Sequence, residues 1–265
     1  YDVLNAKDKM AYEQMAGLYR STTPGQGNLS QDALDQELFN KLKNVASGVD
    51  TYWLSQPLRN AYAQKHSLNV QGGDQSFRYG IDLRYQTQPG VMKGVTRDRF
   101  SGGMDFTYTP SKKLIFRNIL TINQTNAENS PYGSFSTYAT MNPYYPKTDS
   151  AGRVVQELAR WSIDRGYTDP VNGQYRTAYV FNPLFEASLN NFNKDSYLEI
   201  VDAFSVDYKL SESFRLRALM SLNKTLSKAD RFISPFSNSF YTTETDKLNN
   251  RGSYDYNTTD ALSLD

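Results

Sequence analysis

The chain has 265 residues, 38% of them hydrophobic and 14% aromatic, with 20 Tyr and 14 Phe; at a mean hydropathy of −0.65 it is polar without the composition of a disordered chain. Lys and Arg (29) nearly cancel Asp and Glu (28), leaving +1, so the strongly basic footprint of a nucleic-acid binder is absent. With no Cys and the single histidine His66, disulfide scaffolds, thiolate catalysis, Cys-based zinc sites and His-rich metal sites are excluded.

Residues 1–62 carry a helical pattern. Apolar residues recur at mixed three and four spacing from Ala6 to Leu18 and from Gln31 to Val45 (Leu34, Leu38, Leu42, Val45), predicting two short helices, the second with Ser30 as its N-cap. Between them the Gly/Pro cluster STTPGQGN (21–28) reads as a turn. No apolar run reaches the ~18 to 20 residues of a transmembrane helix, and Tyr1 opens the chain with no signal-peptide pattern, as expected of a processed or internal segment.

From about residue 63 the period becomes two. A weaker strand at 64–71 (His66, Leu68, Val70) precedes 77–86, where Phe77, Tyr79, Ile81, Leu83 and Tyr85 alternate with Arg78, Gly80, Asp82, Arg84 and Gln86. The pattern recurs with Phe100, Met104, Phe106 and Tyr108, then with Leu114, Phe116, Leu120 and Ile122. It returns with Leu198, Ile200, Phe204, Val206, Tyr208 and Leu210, and with Phe214, Leu216, Ala218, Met220 and Leu222; a last strand begins at RGSYDY (251–256) and is cut short.

Short turns at 72–76, 110–113 and 211–213 alternate with longer connections at 88–97, about 127–196 and about 227–250. Short turns on one side and long loops on the other is the asymmetry of an outer-membrane barrel. Rings sit at both ends of the apolar face of 77–85 with Ile81 and Leu83 between, as expected where rings favour headgroup depth. Eight steps of ~3.4 Å at ~40° tilt give about 21 Å of height, close to the ~25 Å apolar band of such barrels. The fold class expected is therefore all-β, the antiparallel strands of a transmembrane barrel with long extracellular loops and short loop helices. Such barrels have an even number of strands, at least ~8, and about seven are legible here, so the stretch is not expected to close on itself. The alternative is a soluble β-sandwich carbohydrate-binding module whose apolar strand faces form its core.

YDVLNAKDKMAYEQMAGLY (1–19), YWLSQPLRNAYAQKHSLNVQGGDQSFRYGIDLRYQTQPGVMKG (52–94), NSPYGSF (129–135), MNPYYPKTDSAG (141–152), FNPLFEASLNNFNK (181–194) and RGSYDY (251–256) occur in this order. In these segments, spread over essentially the whole chain, the sequence resembles the SusC/RagA-like TonB-dependent outer-membrane transporters. The resemblance implies a barrel of about 22 strands, occluded by a plug, that imports oligosaccharides or peptides with energy relayed by TonB and a SusD-like surface lipoprotein over its mouth. Nothing matches the signal peptide, TonB box or plug, so the segment is expected to lie inside the barrel. Residues 1–62 would form an extracellular loop region and 63–265 a partial barrel.

No catalytic, cofactor or metal site is expected, and the reading is of a non-enzyme. His66 shares a face with Leu68 and Val70 near a strand start, which suits an interfacial residue better than a catalytic base. KTDSAGR (147–153) and DRGYTDPVNG (164–173) lack calcium-loop spacing and read as ordinary turns, and GQG (25–27) is no phosphate loop. The long loop carries the functional candidates: Tyr132, Tyr138, Tyr144, Tyr145 and Trp161 are expected to face substrate or the lid protein, or else to pack the loop on itself. Phe77, Tyr79, Ile81, Leu83 and Tyr85 are expected to face outer-membrane lipid. Arg78, Asp82, Arg84, Arg99, Asp105, Arg117, Asp207, Arg215 and Arg217 fall on the opposite, lumenal face, where cross-strand charge pairing is expected.

Overall fold

The computed structural model describes residues 2–21, 31–168, 175–241 and 252–265, the side chains of 161–178 lying outside the description. Ser30, the GQG segment and part of 164–173 lie outside the described residues. The chain is mostly β and divides into two compact units, one of residues 1–59, 132–190 and 235–250, the other of 60–131, 191–234 and 251–265. No described helix is long and apolar enough to cross a membrane.

The first unit holds α1 (Ala6–Met15), α2 (Gln31–Ala46), α3 (Phe135–Ala139), α4 (Pro183–Ser188) and the antiparallel pair β5 (Glu157–Thr168) and β6 (Tyr175–Phe181). Side-chain caps start its helices: Asn5, Ser134 and Asn182 accept the amides of Asp8, Ser136 and Leu184, satisfying donors that a helix N-terminus leaves open. Both helices expected in 1–62 are present. Their buried stripes differ from the expected ones: α1 buries Ala6, Met10 and Glu13, and α2 buries Leu34 and Lys41 while Leu42 stays 40% exposed.

The second unit is one seven-stranded antiparallel sheet of β1 (Gln64–Gly73), β2 (Phe77–Thr87), β3 (Thr96–Ser111), β4 (Leu114–Glu128), β7 (Phe192–Lys209), β8 (Arg215–Ile233) and β9 (Ser253–Leu264). Strands pair in chain order, with β7 beside β4; β1 and β9 are the edges, and no described ladder joins them, so the sheet is open rather than a closed barrel. All seven strands follow the alternation legible in the sequence, and the last is a full 12-residue strand rather than a stub. The long connection expected at about 127–196 runs between β4 and β7, over 129–191, and holds α3, β5, β6 and α4. Alternation in β5 and β6 is brief, and their ladder is broken by register shifts between Glu157 and Ala159 and between Ile163 and Thr168, which hides the hairpin from a period-two reading.

The tight turn from β1 to β2 depends on two residues. Gly73 has φ +126°, and a Cβ there would lie 2.0 Å from the carbonyl oxygen of Phe77. The Asp74 carboxylate accepts the amides of Ser76 (2.7 Å) and Phe77 (2.9 Å), and these bonds hold its pKa below the usual carboxylate range. Gly73→Ala is expected to destabilise the protein by more than ~1 kcal/mol in urea denaturation. Gly80→Ala, whose Cβ would meet only Gln71 Cγ at 3.8 Å, serves as the tolerated comparison.

Candidate functional site: a sheet with opposed faces and an aromatic loop unit

Directly opposed residues in a ladder point to the same side, so the registers define two faces across all seven strands. One face carries Val70, Ile81, Met104, Leu120, Asp202, Leu222 and Leu264 in one row, and Leu68, Leu83, Gly102, Ile122, Ile200, Lys224 and Leu262 in the next. Phe77, Tyr79, Ile81, Leu83 and Tyr85 all lie on it, as does His66, opposite Tyr85. The face is solvent-exposed: Leu83, Phe100, Tyr208 and Leu216 are 40%, 41%, 39% and 58% exposed. Such a contiguous uncovered apolar surface marks an interaction or membrane face.

Rings gather toward the ends of this face. Near the short turns Phe77 stacks on Phe106, Tyr108 on Phe116, and Phe116 on Phe204, each with centroids 6.3 Å apart. Toward the long connections Phe192 lies 5.8 Å from Phe232, with Tyr254 opposite Phe232 in the register. Polar residues interrupt the apolar rows, and they pair: Asn118 donates to Asp202 at 2.5 Å, and Lys224 forms an ion pair with Asp260.

The other face carries every expected lumenal residue. Arg117 bonds Asp105 at 2.9 Å, and Asp207 accepts Arg215 (2.9 Å) and Arg217 (3.0 Å), so part of the cross-strand pairing is present. Asp82 instead accepts Asn69 at 2.5 Å, and Glu199 accepts Asn123 at 3.2 Å. The face is less uniformly polar than β2 alone suggests, since Ile119, Val201, Ala203 and Leu219 also fall on it.

A β-sandwich needs a second sheet over the apolar face; the remaining described sheet is the two-stranded β5–β6 pair in the first unit.

The loop unit places its tyrosines differently from the expectation of exposure. Tyr138, Tyr144 and Tyr145 are 1%, 1% and 4% exposed and form a core with Ala6, Met10, Tyr19 and Trp53. They are corrected from ligand-facing candidates to core residues, the outcome expected where a long loop packs on itself. Tyr132 is half-buried against this core. Trp161 lies on β5 opposite Ala178, its side chain outside the described residues. The core's polar ends are anchored: Tyr138 Oη donates to the carbonyl of Pro183 (3.1 Å) and Trp53 Nε1 to that of Asn142 (3.0 Å).

At its centre sits a buried charge cluster that the sequence reading missed. Glu13 accepts the hydroxyls of Tyr19 and Tyr144, the latter at 3.0 Å. Lys41 reaches Glu37 at 2.6 Å and Glu13 at 3.6 Å, donates to Tyr19 Oη at 3.0 Å and lies 5.0 and 4.9 Å from the Tyr19 and Tyr144 ring centres. Burial pushes the Tyr19, Tyr138, Tyr144 and Tyr145 phenols above their ordinary range, and the Glu13 charge adds to this at Tyr19, Tyr144 and Tyr145. The available sequence signal was position: Glu13 and Lys41 each stand seven residues after a buried apolar residue, Ala6 and Leu34.

The KTDSAGR segment is an ordinary turn, with Asp149 accepting the amides of Ala151 and Arg153 and pairing with the Arg153 side chain at 2.8 Å. Among the described residues no group of three or more His, Cys, Asp or Glu is arranged to hold a metal.

No protein-family model matches the chain, and no curated protein does. Among solved structures it is similar to a chain of the RagAB peptide transporter, at 15% identity and a TM-score of 0.47, over 99% of this chain and 37% of that one. The chain thus spans little more than a third of the length of that neighbour.

Two outcomes test the cluster. Lys41→Met, which takes from Glu13 and Glu37 the cation they share and leaves Glu13 with Lys9 at 3.6 Å, is expected to cost ~3 kcal/mol in denaturation followed by tryptophan fluorescence, and adding Glu13→Leu to recover part of it. Because the folded phenol pKa values are raised, their contribution is complete below about pH 10 and lost as pH climbs above it. An alkaline titration followed by tryptophan fluorescence is therefore expected to show this unit loosening only beyond about pH 10.

Proposed function

We propose that this chain forms part of the wall of an outer-membrane β-barrel transporter. In this reading the barrel imports bulky nutrients, oligosaccharides or peptides, with a SusD-like lipoprotein at its mouth and energy from TonB. The observation that carries the reading is the exposed, mainly apolar face that keeps its parity across seven antiparallel strands, with charged residues behind it. A surface of that size is stable in contact with hydrocarbon and costly in water.

Four further features support it. Rings concentrate toward the ends of the apolar face, where the interface of a bilayer favours them. The charges within the face are paired inside the sheet, as charges near hydrocarbon need to be. The connections are short at one edge of the sheet and long at the other, and the ordered motifs resemble those of SusC/RagA-like transporters. In lipid the open edges at β1 and β9 require partner strands, because unpaired backbone groups are not tolerated there. The full-length barrel supplies those strands, and transport proceeds with no chemical step.

This chain carries no cysteine, so the test is a single cysteine placed in it within a full-length protein cleared of any other thiol. In the full-length protein reconstituted in vesicles, a fluorophore on Ile81→Cys is expected to be quenched by brominated lipid, while Ser101→Cys on the opposite face reacts with a membrane-impermeant thiol reagent. Quenching of the Ile81 position by aqueous iodide instead of lipid overturns the reading. Ile81→Arg is expected to cost ~2 to 4 kcal/mol in folding equilibria with vesicles.

A further inference from the structure

On the face opposite the apolar rows, the charges divide along the strands. Toward the short turns most arginines are matched: Arg117 meets Asp105, and Arg215 and Arg217 share Asp207, which leaves Arg78. Toward the long connections, β1, β2 and β3 carry Lys65, Arg84, Arg97 and Arg99 on this face. All four are exposed, and none forms an ion pair among the described residues. Their neighbours on this face of the three strands are uncharged: Ser67 and Ser101 flank Arg84, and Gln86 stands between Lys65 and Arg99.

None of the bordering acids pairs with these cations. Asp82, two residues before Arg84, accepts Asn69 at 2.5 Å. On β7, Glu199 accepts Asn123 at 3.2 Å and the Tyr197 hydroxyl at 3.3 Å, and Asp195 faces Arg97 across Ala127, two strand spacings or about 10 Å away. Lys65, Arg84 and Arg99 thus form a triangle of open cations on adjacent rows. The row of Lys65 and Arg99 continues into Thr125, Tyr197 and Ser227, and Tyr197 is 38% exposed.

We propose that this stretch of wall is a cargo site for an acidic oligosaccharide, its carboxylate or sulfate groups on Lys65, Arg84 and Arg99 and a sugar ring against Tyr197. The proposal rests on the transporter reading above, which turns this face to the lumen, and it narrows the cargo of that reading. Charge selects an anionic occupant: guanidinium groups bind carboxylate and sulfate oxygens by charge-assisted, often paired hydrogen bonds, and a neutral cargo leaves three cations unmatched. Spacing selects a chain that carries several charges, because Lys65 and Arg99 stand about 10 Å apart with Arg84 one row away between them. The rest of the row selects a sugar, since Gln86, Thr125 and Ser227 offer amide and hydroxyl partners to sugar hydroxyls and an exposed tyrosine offers an apolar ring face with a polar tip.

Titration calorimetry of the full-length protein in detergent tests this, with tetragalacturonate, a chondroitin sulfate tetrasaccharide and neutral maltotetraose as probes. At least one acidic probe is expected to bind about ten-fold or more tighter than maltotetraose, the scale of one charge-assisted bond, and to weaken as salt is raised. Arg84→Gln with Arg99→Gln is expected to remove that preference. Arg215→Gln with Arg217→Gln takes away the same charge about 30 Å farther along the strands, beyond the ~10 Å screening length, and is expected to leave it in place. Equal affinity for acidic and neutral sugars, binding of neither acidic probe, or a preference untouched by Arg84→Gln with Arg99→Gln overturns the site. So does a tetraglutamate peptide that binds more tightly than both acidic sugars, since it gives the cations to a peptide. The Ile81→Cys label on the same full-length protein in vesicles separates the two failures: lipid quenching without anion selection sinks the site alone, whereas aqueous quenching sinks the membrane reading with it.

Discussion

The sheet depends on one constraint: in an antiparallel ladder with a side-chain period of two, a register that slips by one residue exchanges its two faces. Seven strands keep the parity across six ladders, and the bulge between Tyr108 and Ser111 falls at the β3–β4 turn, where it leaves the rows intact. The chemical difference between the faces is therefore a property of register, and its loss at any one strand would put arginine and aspartate among leucines. In the proposed membrane reading, contact of the apolar rows with hydrocarbon favours that register over its one-residue slips.

This explains why so much of the sheet was legible from residues alone. Phe77 to Tyr85 alternate without interruption, and the residues that pair with them, from Tyr108 back to Phe100, do the same except at Gly102. The strand ends were less legible: β7 and β8 extend to Phe192 and Ile233, through Lys194, Asp230 and their neighbours, where the outward face has become polar and the alternation fades. A charged concavity lined by Asp98, Glu128, Lys194 and Lys228 lies in that stretch. A hydrophobic pattern has no contrast where both faces are polar, so only the ladder reveals which side each charge takes.

In the loop unit, legibility failed for a different reason. Periodicity places helices but assumes that apolar residues fill the inward stripe, and here Glu13 and Lys41 fill it. Their burial is tolerated because each meets the other and because Tyr19 and Tyr144 supply hydroxyls and ring faces around them. Removing one charge is costly, yet an apolar pair of similar volume could fill the space. The cluster thus fixes how α1, α2 and the segment around Tyr144 fit together more than it adds net stability.

Tyrosine joins the two units at the level of composition while serving opposite ends. In the loop unit Tyr19, Tyr138 and Tyr144 lie buried with hydroxyls bonded to Glu13 or to the Pro183 carbonyl, so the ring gains burial and the polar tip loses nothing. On the sheet Tyr85, Tyr108, Tyr208, Tyr254 and Tyr256 stand 39–62% exposed toward the ends of the apolar face, where a ring with a polar tip suits a boundary between hydrocarbon and water. A count of 20 tyrosines cannot separate these uses. Position relative to the ladders can, because a tyrosine on the apolar face of a long strand has neighbours above and below of one chemistry, whereas a buried loop tyrosine must find a specific acceptor. Exposed rings in register therefore point to a bulk medium, and anchored rings to a packed core.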